Sequence, residues 1–508
     1  MQENTKLIRG AWLLSDGEAV RDGAVAVRGG HIEEIGGWRD LCARYPAARV
    51  YGSGSHIVIP GLINAHHHSG GFPQSLHGVE DDHLEPWLLS TMGMRAESAY
   101  PGTALSAARL LQSGVTSVVD MTLVDGSVQE AREDTEERLR AYADAGIRAA
   151  VAPGVIHESF LVNGRGEDEA FLASLPPELR RRVEDLLPLK AELSQDEYLR
   201  FIEEAAAGLE AHSPQRVWYG PPGPQWSPAG LLRRIRSGAE RLDTRIQTHA
   251  LESFYEKLEG LRSHGKGAVE YLHDLGLLSS RMTMAHGVWL SEAEIDILAR
   301  TGAAVSHNPS SNLRLRAGTA PLNAMLGAGV PTALGLDANG INDDDDMFTE
   351  MRMALRLQRT PQLGEPAPAP ADVFRMATVG GARLFGMEEE LGRLAPGFRA
   401  DVTLLDAGRI LGPWRDEDAD PLYLLVSRAG ARDVDTVFVN GEPVLRAGSP
   451  VGVDPGDLSE QLAKRLRDTP APERLRELIG ELKPHLRSWY ATWEEPGLEP
   501  YGVFNSRS

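Results

Sequence analysis

The sequence has little cysteine, no long apolar run and fewer positive than negative side chains. Its one cysteine, Cys42, cannot form an intramolecular disulfide, so no feature requires an oxidising compartment. No apolar stretch approaches the roughly 20 residues that a membrane helix needs, and the N-terminus has no basic segment followed by an apolar one. The formal net charge of −21 argues against nucleic acid or an anionic membrane as a partner. These absences predict a cytoplasmic protein that binds neither nucleic acid nor membrane.

What is present is the composition of an ordinary globular protein, with 42% hydrophobic and 25% charged residues. At 508 residues the chain exceeds one small domain. Two β-rich segments, residues 1–58 and 389–450, alternate apolar and polar residues between glycine-rich turns. Because they flank a long middle, they predict one small composite β-sandwich domain built from both ends of the chain. Residues 451–508 turn charged and predict a helical C-terminal tail.

The middle of the chain, residues 59–388, alternates strand-like runs with amphipathic segments. Eight β-α units of this length favour a closed parallel (β/α)8 TIM-like barrel over an open sheet, and so an α/β fold. The long stretch 158–214 predicts extra helices near the mouth of the active site. The eight candidate strands are 57–63, 115–120, 148–155, 217–223, 245–250, 282–286, 303–307 and 331–336.

The first of these strands runs into a His-x-His pair. Side chains alternate along a strand, so His66 and His68 point to the same face while His67 points away, into packing or a supporting contact. Two imidazoles from one strand can bind one cation, with the remaining ligands supplied from elsewhere. His249, His286 and Asp337 stand at later strand ends, where the active sites of such barrels are built. These five residues together predict one metal centre.

A histidine and aspartate ligand set suits a borderline divalent ion, so we predict one Zn2+, with Fe2+ as the alternative. The ion would lower the pKa of a bound water and provide a hydroxide nucleophile. Asp337 could also accept the proton of that water, and Glu252, just past the strand of His249, could protonate a substrate nitrogen. His286, at the end of another strand, is predicted either as a further ligand or as a hydrogen-bond donor to the attacked group.

These residues lie in segments that match a known family. Residues 60–68 resemble the P-G-[FL]-[IV]-[ND]-x-H-x-H signature of the amidohydrolase superfamily. The chain as a whole resembles the branch that contains triazine chlorohydrolases and S-adenosylhomocysteine or methylthioadenosine deaminases. The further matching segments, in the family's order, are 248–252, 285–287, 306–312, 346–352 and 392–401.

The resemblance implies a deformed barrel with a single divalent metal on His66, His68, His249 and Asp337. It also implies Glu252 as the proton shuttle and His286 as the residue that polarises the substrate. Relatives with two metals use a carboxylated lysine on the fourth strand, and here residues 217–222 contain no lysine. Relatives of this kind commonly form dimers or larger assemblies, so we expect a homo-oligomer that acts on a small molecule.

The chain departs from nucleoside-deaminating relatives beside the metal motifs. It lacks their arginine shortly after His-x-His, and it has Pro221-Pro222-Gly223-Pro224 where they carry Pro-His-x-Pro. Ile341 stands near a position that is serine in many of them. These differences predict a reshaped substrate pocket. Its candidate residues are Gln74, Glu85, Trp87, Gln225, Trp226, His307 and Asn312.

Several of these candidates have structural alternatives. Trp87 could be a core anchor, His307 a buried hydrogen-bonded residue, and Asn312 a helix cap. The acidic run 343–346 is expected to be solvated rather than to bind a second metal. Its last residue, Asp346, is predicted to cap a helix that starts at Met347.

The leading functional hypothesis is a metal-dependent aminohydrolase that attacks an amidine-like carbon of a nitrogen heterocycle and releases ammonia. A second hypothesis keeps the same centre but cleaves an amide, a carbamate or a carbon–halogen bond. A third, from a different class, is a catalytically silent barrel scaffold. Against it, the full ligand set and Glu252 are all present.

Overall fold

The computed structural model describes residues 5–210, 213–338, 340–359, 363–494 and 498. Within them the chain alternates strands and helices along most of its length. The strands are β1 (Lys6–Ser15), β2 (Glu18–Arg28), β3 (His31–Gly37), β4 (Arg49–Gly52), β5 (His56–Pro60), β6 (Leu62–His67), β7 (Val115–Leu123), β8 (Arg148–Gly154), β9 (Gln215–Val217), β10 (Ile246–Ala250), β11 (Met282–His286), β12 (Ala304–His307), β13 (Thr332–Leu334), β14 (Val402–Asp406), β15 (Val434–Val439), β16 (Glu442–Arg446) and β17 (Ser449–Pro450).

Most helices lie between the strands of the middle segment. They are α1 (Trp38–Arg44), α2 (Leu84–Met92), α3 (Ala99–Gln112), α4 (Val128–Ala145), α5 (Glu167–Ser174), α6 (Pro177–Leu186), α7 (Gln195–Ala207), α8 (Ala229–Leu242), α9 (Phe254–His264), α10 (Ala268–Asp274), α11 (Glu292–Thr301), α12 (Pro309–Arg314), α13 (Leu322–Ala328), α14 (Met347–Leu357), α15 (Pro370–Arg375), α16 (Gly381–Phe385), α17 (Ala407–Leu411), α18 (Pro421–Arg428), α19 (Pro455–Asp468) and α20 (Glu473–Tyr490). Helices α5, α6 and α7 are the extra helices predicted in 158–214.

Strands β6 to β13 follow one another around a parallel barrel. They form two four-stranded sheets, β6-β7-β8-β9 and β10-β11-β12-β13. Single bridges join the two sheets at both seams, between Tyr219 and Ile246 and between His67 and Asp337. At the second seam the Asp337 amide donates to the His66 carbonyl at 3.0 Å. The predicted α/β barrel is confirmed, and its closing seam passes through the candidate metal ligands.

The two ends of the chain build one composite sheet, as predicted. Its nine strands run in the order β17-β16-β15-β14-β5-β1-β2-β3, with β4 paired to β1. The sheet curls over its own apolar core, because Val27 of β2 and Phe438 of β15 belong to the same buried cluster. A buried ion pair of 3.2 Å between Arg148 of the barrel and Asp401 ties this sheet to the barrel.

The prediction of a single strand over 57–63 is wrong. The segment divides at Gly61: β5 joins the composite sheet, and β6 starts the barrel. The division brings Gly61 so close to β7 that an added Cβ would lie 2.2 Å from Thr116 Oγ1. Strand β6 runs from Leu62 to His67, so the histidine motif lies at its C-terminal end.

The C-terminal segment contains two helices that dock on the barrel. Helix α19 packs Leu458 and Leu462 against residues of α3. Helix α20 contacts α2, and its Arg487 and Lys483 bind the Asp82 carboxylate at 2.5 and 3.1 Å. Residues 495–497 and 499–508 lie outside the described part. No helix within that part combines the length and the apolar character needed to span a membrane.

The acidic run 343–346 is held by other side chains rather than free in solvent. Asp343 binds Arg314 at 2.7 Å, and Asp345 binds Arg109 at 2.8 Å. Asp346 accepts a hydrogen bond from the Phe348 amide at 2.9 Å, which confirms the predicted cap of α14.

Candidate metal centre and active site

Three histidines and one aspartate meet at the C-terminal end of the barrel. The Nε2 atoms of His68 and His249 are 3.1 Å apart. Asp337 Oδ1 lies 3.3 Å from His68 Nε2 and 3.6 Å from His66 Nε2. Ligands about 2.1 Å from one ion in a tetrahedron stand about 3.4 Å from each other. The spacing of these atoms therefore fits the ligand shell of a single ion.

The hydrogen bonds of His68 and His249 fix which ring nitrogen carries the proton. His68 Nδ1 lies 2.6 Å from the Met121 carbonyl oxygen, and His249 Nδ1 lies 2.7 Å from the Pro222 carbonyl oxygen. A carbonyl oxygen only accepts, so each Nδ1 must donate. Both Nε2 atoms consequently carry lone pairs, and these face each other. His68 and His249 would hold a cation through these nitrogens, and its charge would offset the repulsion.

His66 is fixed in the same way by a side chain. Gln247 Nε2 donates to the Ala65 carbonyl at 2.8 Å, which turns its Oε1 toward His66 Nδ1 at 3.1 Å. His66 Nδ1 therefore donates, and its Nε2 keeps a lone pair. That Nε2 is buried and has no hydrogen-bond partner among the described residues. A buried acceptor without a donor is costly unless an ion binds it.

The protonation states of the cluster suit a metal. Burial, with the neighbouring His68 and His286, lowers the pKa of His249 to about 3. Burial also holds the pKa of His66 well below its ordinary value. Burial opposes ionisation of Asp337, but positive charge on His286, His66 and His68 outweighs that effect and lowers the pKa of its carboxyl, and a bound cation would act in the same direction. Neutral imidazoles and an ionised carboxylate are the forms that bind Zn2+ or Fe2+.

The backbone holds Asp337 in a conformation that non-glycine residues rarely adopt, with φ of +58°. His67, which points away from the cluster as predicted, supports this turn. Its Nδ1 lies 2.8 Å from the Asp337 carbonyl oxygen, and its Nε2 lies 2.7 Å from Ser106 Oγ. His67 therefore positions the aspartate.

His286 stands at the edge of the cluster, where its ligand atom lies within 4.8 Å of those of His66 and Asp337. Its Nε2 lies 3.5 Å from Glu252 Oε2 and 3.6 Å from Asp337 Oδ2. Its Nδ1 has an amide oxygen at 3.0 Å, from Asn312, and an amide nitrogen at 3.4 Å, from Asn308. Either tautomer thus has a partner at Nδ1, so a proton on Nε2 can be held or released. This arrangement suits a hydrogen-bond donor to a reacting group.

Glu252 is buried beside the centre. Burial raises the pKa of its carboxyl well above the ordinary value, and Asp337, Glu256 and Glu85 add to the effect. Its position is set by the carboxylate of Glu256, which accepts from the amides of Leu251 and Glu252 at 2.7 Å each. A carboxyl whose pKa is raised in this way can donate a proton and take one back.

A cavity of about 670 Å3 opens from the metal ligands. Its size is typical of small-molecule sites. Glu252, His286 and Asp337 stand at its wall. Four of the predicted substrate-binding residues also line it: Gln74, Glu85, Trp87 and Trp226. One carboxylate oxygen of Glu85 accepts from Ser253 Oγ at 2.5 Å, whereas Oε2 is buried and has no hydrogen-bond partner among the described residues.

The other three candidates stand elsewhere. Gln225 is buried and does not line the cavity, and His307 is buried with neither ring nitrogen hydrogen-bonded to the described residues. Asn312 lies within α12 and contacts His286, so it is neither a helix cap nor part of the cavity wall. Its contact makes it a positioning residue for His286.

Three residues of this region escaped sequence reasoning. Gln247 stands two positions before His249, so strand alternation could have placed it on the same face. Glu256 is one helical turn beyond Glu252 and could have been suspected for that reason. Tyr490 also lines the cavity, from the C-terminal helix, and no local pattern in the sequence indicates this.

We expect Gln247→Leu to lower metal affinity about 10- to 100-fold, because His66 loses the acceptor that fixes its tautomer. Competition with a chromophoric chelator measures this, and Gln247→Glu, which keeps an acceptor, should lose less. Gln358→Leu is a matched control, since that buried amide donates to the Ala320 carbonyl away from the centre. Equal metal affinity in the wild type and Gln247→Leu would contradict the assignment.

The burial of His307 should make the free energy of unfolding depend on pH. Burial lowers its pKa from 6.5 to about 4. The unfolded chain therefore binds this proton at a higher pH than the folded one, so stability is complete above pH 6.5 and falls as the pH drops toward 4. The slope is about 1.4 kcal/mol per pH unit in that window. In denaturant titrations of metal-free protein, His307→Leu should show a shallower loss. If the free energies of unfolding of the wild type and of His307→Leu fell equally with pH, His307 would make no such contribution.

Comparisons with known proteins agree with this geometry. The chain is 34% identical over 456 residues to a 5'-deoxyadenosine deaminase of Methanothermobacter thermautotrophicus, covering 88% of this chain and 95% of the relative. It is 31% identical over 470 residues to a 5-methylthioadenosine/S-adenosylhomocysteine deaminase of Desulforudis audaxviator, covering 91% and 98%. A crystal structure of an adenosine deaminase from Xanthomonas campestris with bound zinc superposes with a TM-score of 0.76 at 25% identity, covering 91% and 98%.

Family profiles match both parts of the fold. A bacterial imidazolonepropionase-like composite domain matches residues 23–48, within the composite sheet. The Amidohydrolase family matches residues 57–444, which include the barrel and every candidate ligand. This match confirms the resemblance seen at residues 60–68. Because it spans most of the 508 residues, the chain belongs to the amidohydrolase family.

Proposed function

We propose that this protein is a metal-dependent deaminase that removes the amino group of an adenine nucleoside and releases ammonia. Curated relatives named as deaminases of 5'-deoxyadenosine and of 5-methylthioadenosine or S-adenosylhomocysteine support this substrate class. The observation that carries the proposal is the convergence of three imidazole lone pairs and one carboxylate beside a buried glutamic acid. A scaffold protein has no use for such a costly arrangement.

His66, His68, His249 and Asp337 would hold one divalent ion. We propose zinc, because the related adenosine deaminase structure has bound zinc, with iron as the alternative for the same ligand set. When bound, such an ion supplies Lewis acidity that brings the pKa of water toward neutrality. Elemental analysis of the purified protein identifies the ion and its stoichiometry.

Glu252 would carry protons between water and the heterocycle. Its carboxyl stands at the cavity wall, and burial together with the neighbouring carboxylates raises its pKa, which favours the protonated form. It can protonate a ring nitrogen next to the attacked carbon, and the carboxylate that results can accept the second proton of the attacking water, after Asp337 has taken the first. The same group then delivers a proton to the departing amine.

His286 and Asp337 would act on the attacked face. Asp337 Oδ2 and Glu252 Oε2 both lie within 3.6 Å of His286 Nε2, so the three groups can share protons. A proton on His286 Nε2 can stabilise the charge that develops as the carbon becomes tetrahedral. The ionised Asp337 can accept the proton of the nucleophilic water.

The cavity walls suit a flat nucleoside. Trp87 and Trp226 offer aromatic surface to a planar base. Glu85 Oε2 has no partner among the described residues and can accept a hydrogen bond from a hydroxyl or amino group of the substrate.

The test is a product assay with metal-loaded protein. We expect ammonia from adenosine, 5'-deoxyadenosine and 5'-methylthioadenosine, together with the loss of absorbance that accompanies conversion to the hypoxanthine nucleoside. Aminotriazines, chlorotriazines and cyclic amides complete the panel. Halide release, or carboxylate release, in the absence of nucleoside deamination would overturn the proposal in favour of the alternative hydrolases.

A further inference from the structure

The C-terminal helix α20 reaches the cavity that opens from the metal ligands. Its last residue, Tyr490, lines the same cavity as His249 and Glu252, although α20 lies outside the barrel and follows it in sequence. The tyrosine is 3% exposed, so its ring faces protein and cavity rather than bulk solvent. A residue in this position can contact a bound substrate.

The ring of Tyr490 is held from two sides. The backbone amide of Asn163 donates to Tyr490 Oη at 2.7 Å. The centroids of the Tyr255 and Tyr490 rings are 4.6 Å apart. Because the hydroxyl accepts in that bond, its own proton remains available. No described residue accepts it in a hydrogen bond. The hydroxyl can therefore donate to a group in the cavity without losing its anchor.

Apolar and ionic contacts hold helix α20, which carries Tyr490, in place. Its buried leucines, among them Leu482 and Leu486, belong to one apolar cluster with Leu89 of α2. The ion pairs of Asp82 with Arg487 and Lys483 join the same two elements. Helix α2 also carries Glu85 and Trp87, which line the cavity. The docking of α20 against α2 therefore holds the part of the cavity wall that these residues form.

The wall that Tyr490 shares is apolar. Leu89, Leu161 and Val162 line the cavity and pack with Tyr490 in the same buried cluster. A carboxylate placed against these side chains would lose its hydration without gaining a cationic partner. An alkyl or alkylthio substituent would instead bury apolar surface there.

The buried positive charge near this wall is already engaged. The Arg138 guanidinium binds Asp134 at 2.7 Å and donates to Ser69 Oγ at 2.7 Å. The other positive side chain of the lining, Lys190, is exposed to solvent. A substituent with a carboxylate would therefore find no free buried cation among the described residues of the cavity.

We propose that Tyr490 is a specificity-determining residue, and that the α20 wall selects adenine nucleosides whose 5' substituent is uncharged and apolar over those with a zwitterionic one. This inference rests on the proposed function and refines its substrate class. The hydroxyl of Tyr490 donates to a polar atom of the nucleoside, and its ring covers the apolar substituent.

The first test compares three substrates in the wild-type holoenzyme. We expect kcat/KM for 5'-deoxyadenosine and 5'-methylthioadenosine to exceed that for S-adenosylhomocysteine by about tenfold or more. Equal or better use of S-adenosylhomocysteine would overturn the inference. Absence of ammonia from all three would instead overturn the proposed function, so the two failures are distinguishable.

The second test uses variants of the wall. Tyr490→Ala should raise KM for 5'-methylthioadenosine about tenfold with kcat nearly unchanged. The ratio of kcat/KM for 5'-methylthioadenosine to kcat/KM for S-adenosylhomocysteine should therefore fall. Tyr490→Phe keeps the ring, so it should keep the preference and raise KM only a few-fold. Leu482→Ala is the control, because it weakens the docking of α20 but leaves the cavity lining intact. It should lower Tm without changing the preference.

A direct binding measurement separates contact from turnover. In a Glu252→Gln background, the Kd of 5'-methylthioadenosine should rise about tenfold on addition of Tyr490→Ala. An unchanged Kd, or an identical change of preference in Leu482→Ala, would show that Tyr490 acts only on stability and would contradict its assignment.

Discussion

Replacing Glu252 with glutamine is expected to leave metal content unchanged and to lower kcat by a factor on the order of 10² to 10⁴. Glutamine has nearly the same shape, so the cavity and the metal ligands are retained, but it cannot give or take the proton that the reaction needs. The buried carboxyl stands 3.5 Å from His286 Nε2 and lines the cavity. Steady-state ammonia release and elemental analysis on the same sample measure both effects.

The matched control for this change is Glu259→Gln. Glu259 lies on α9, is buried to a similar degree and does not line the cavity. Its replacement removes one buried carboxyl without touching the reaction, so kcat should stay close to that of the wild type. Full activity in Glu252→Gln would remove this residue from the mechanism, and loss of metal would show that its role is structural.

Replacing His249 with alanine is expected to abolish stoichiometric metal binding and to lower kcat/KM at least about a thousandfold. The Nε2 lone pair that faces His68 at 3.1 Å disappears, and only three of the four ligands remain. The stability of the metal-free protein should change in the opposite sense. Removing one of two facing lone pairs relieves repulsion, so chelation should lower the Tm of His249→Ala less than it lowers the Tm of the wild type.

Metal content, kcat/KM and Tm with and without chelator test this together. His264→Gln serves as the control, since His264 stacks on Tyr271 away from the centre. It should bind metal and turn over substrate as the wild type does. A His249→Ala protein that retains one tightly bound ion would show that the ligands are not those assigned.

The meeting of the candidate metal ligands could be predicted because their signals are local. Strand alternation fixes the relative orientation of His66, His67 and His68, and parallel strands bring their C-terminal ends to one edge. His249 and Asp337 each end a short apolar run, so their positions follow from the barrel. The hydrogen bonds that fix the tautomers are different. They depend on partners 181 residues apart, as for His66 and Gln247, and no local pattern reports them.

The substrate wall could not be predicted for a related reason. The apolar periodicity of α20 indicates a helix with one buried face, but not the surface against which that face packs. Asn163, Tyr255 and Tyr490 meet from three segments that are remote in sequence. The boundary at Gly61 was also hidden, because the apolar run continues across it while hydrogen bonding switches from one sheet to the other.

The seam of the barrel has a consequence for how the chain folds. Its two sides, at His67 and Asp337, are 270 residues apart, so the contact that closes the ring joins the most distant parts of the barrel. Closing so long a loop costs conformational entropy and makes this contact late to form and early to open. An ion bound by His66, His68 and Asp337 would clasp the first strand to the last. We therefore expect chelation to speed amide hydrogen exchange at this seam, while β7 and β8 stay protected.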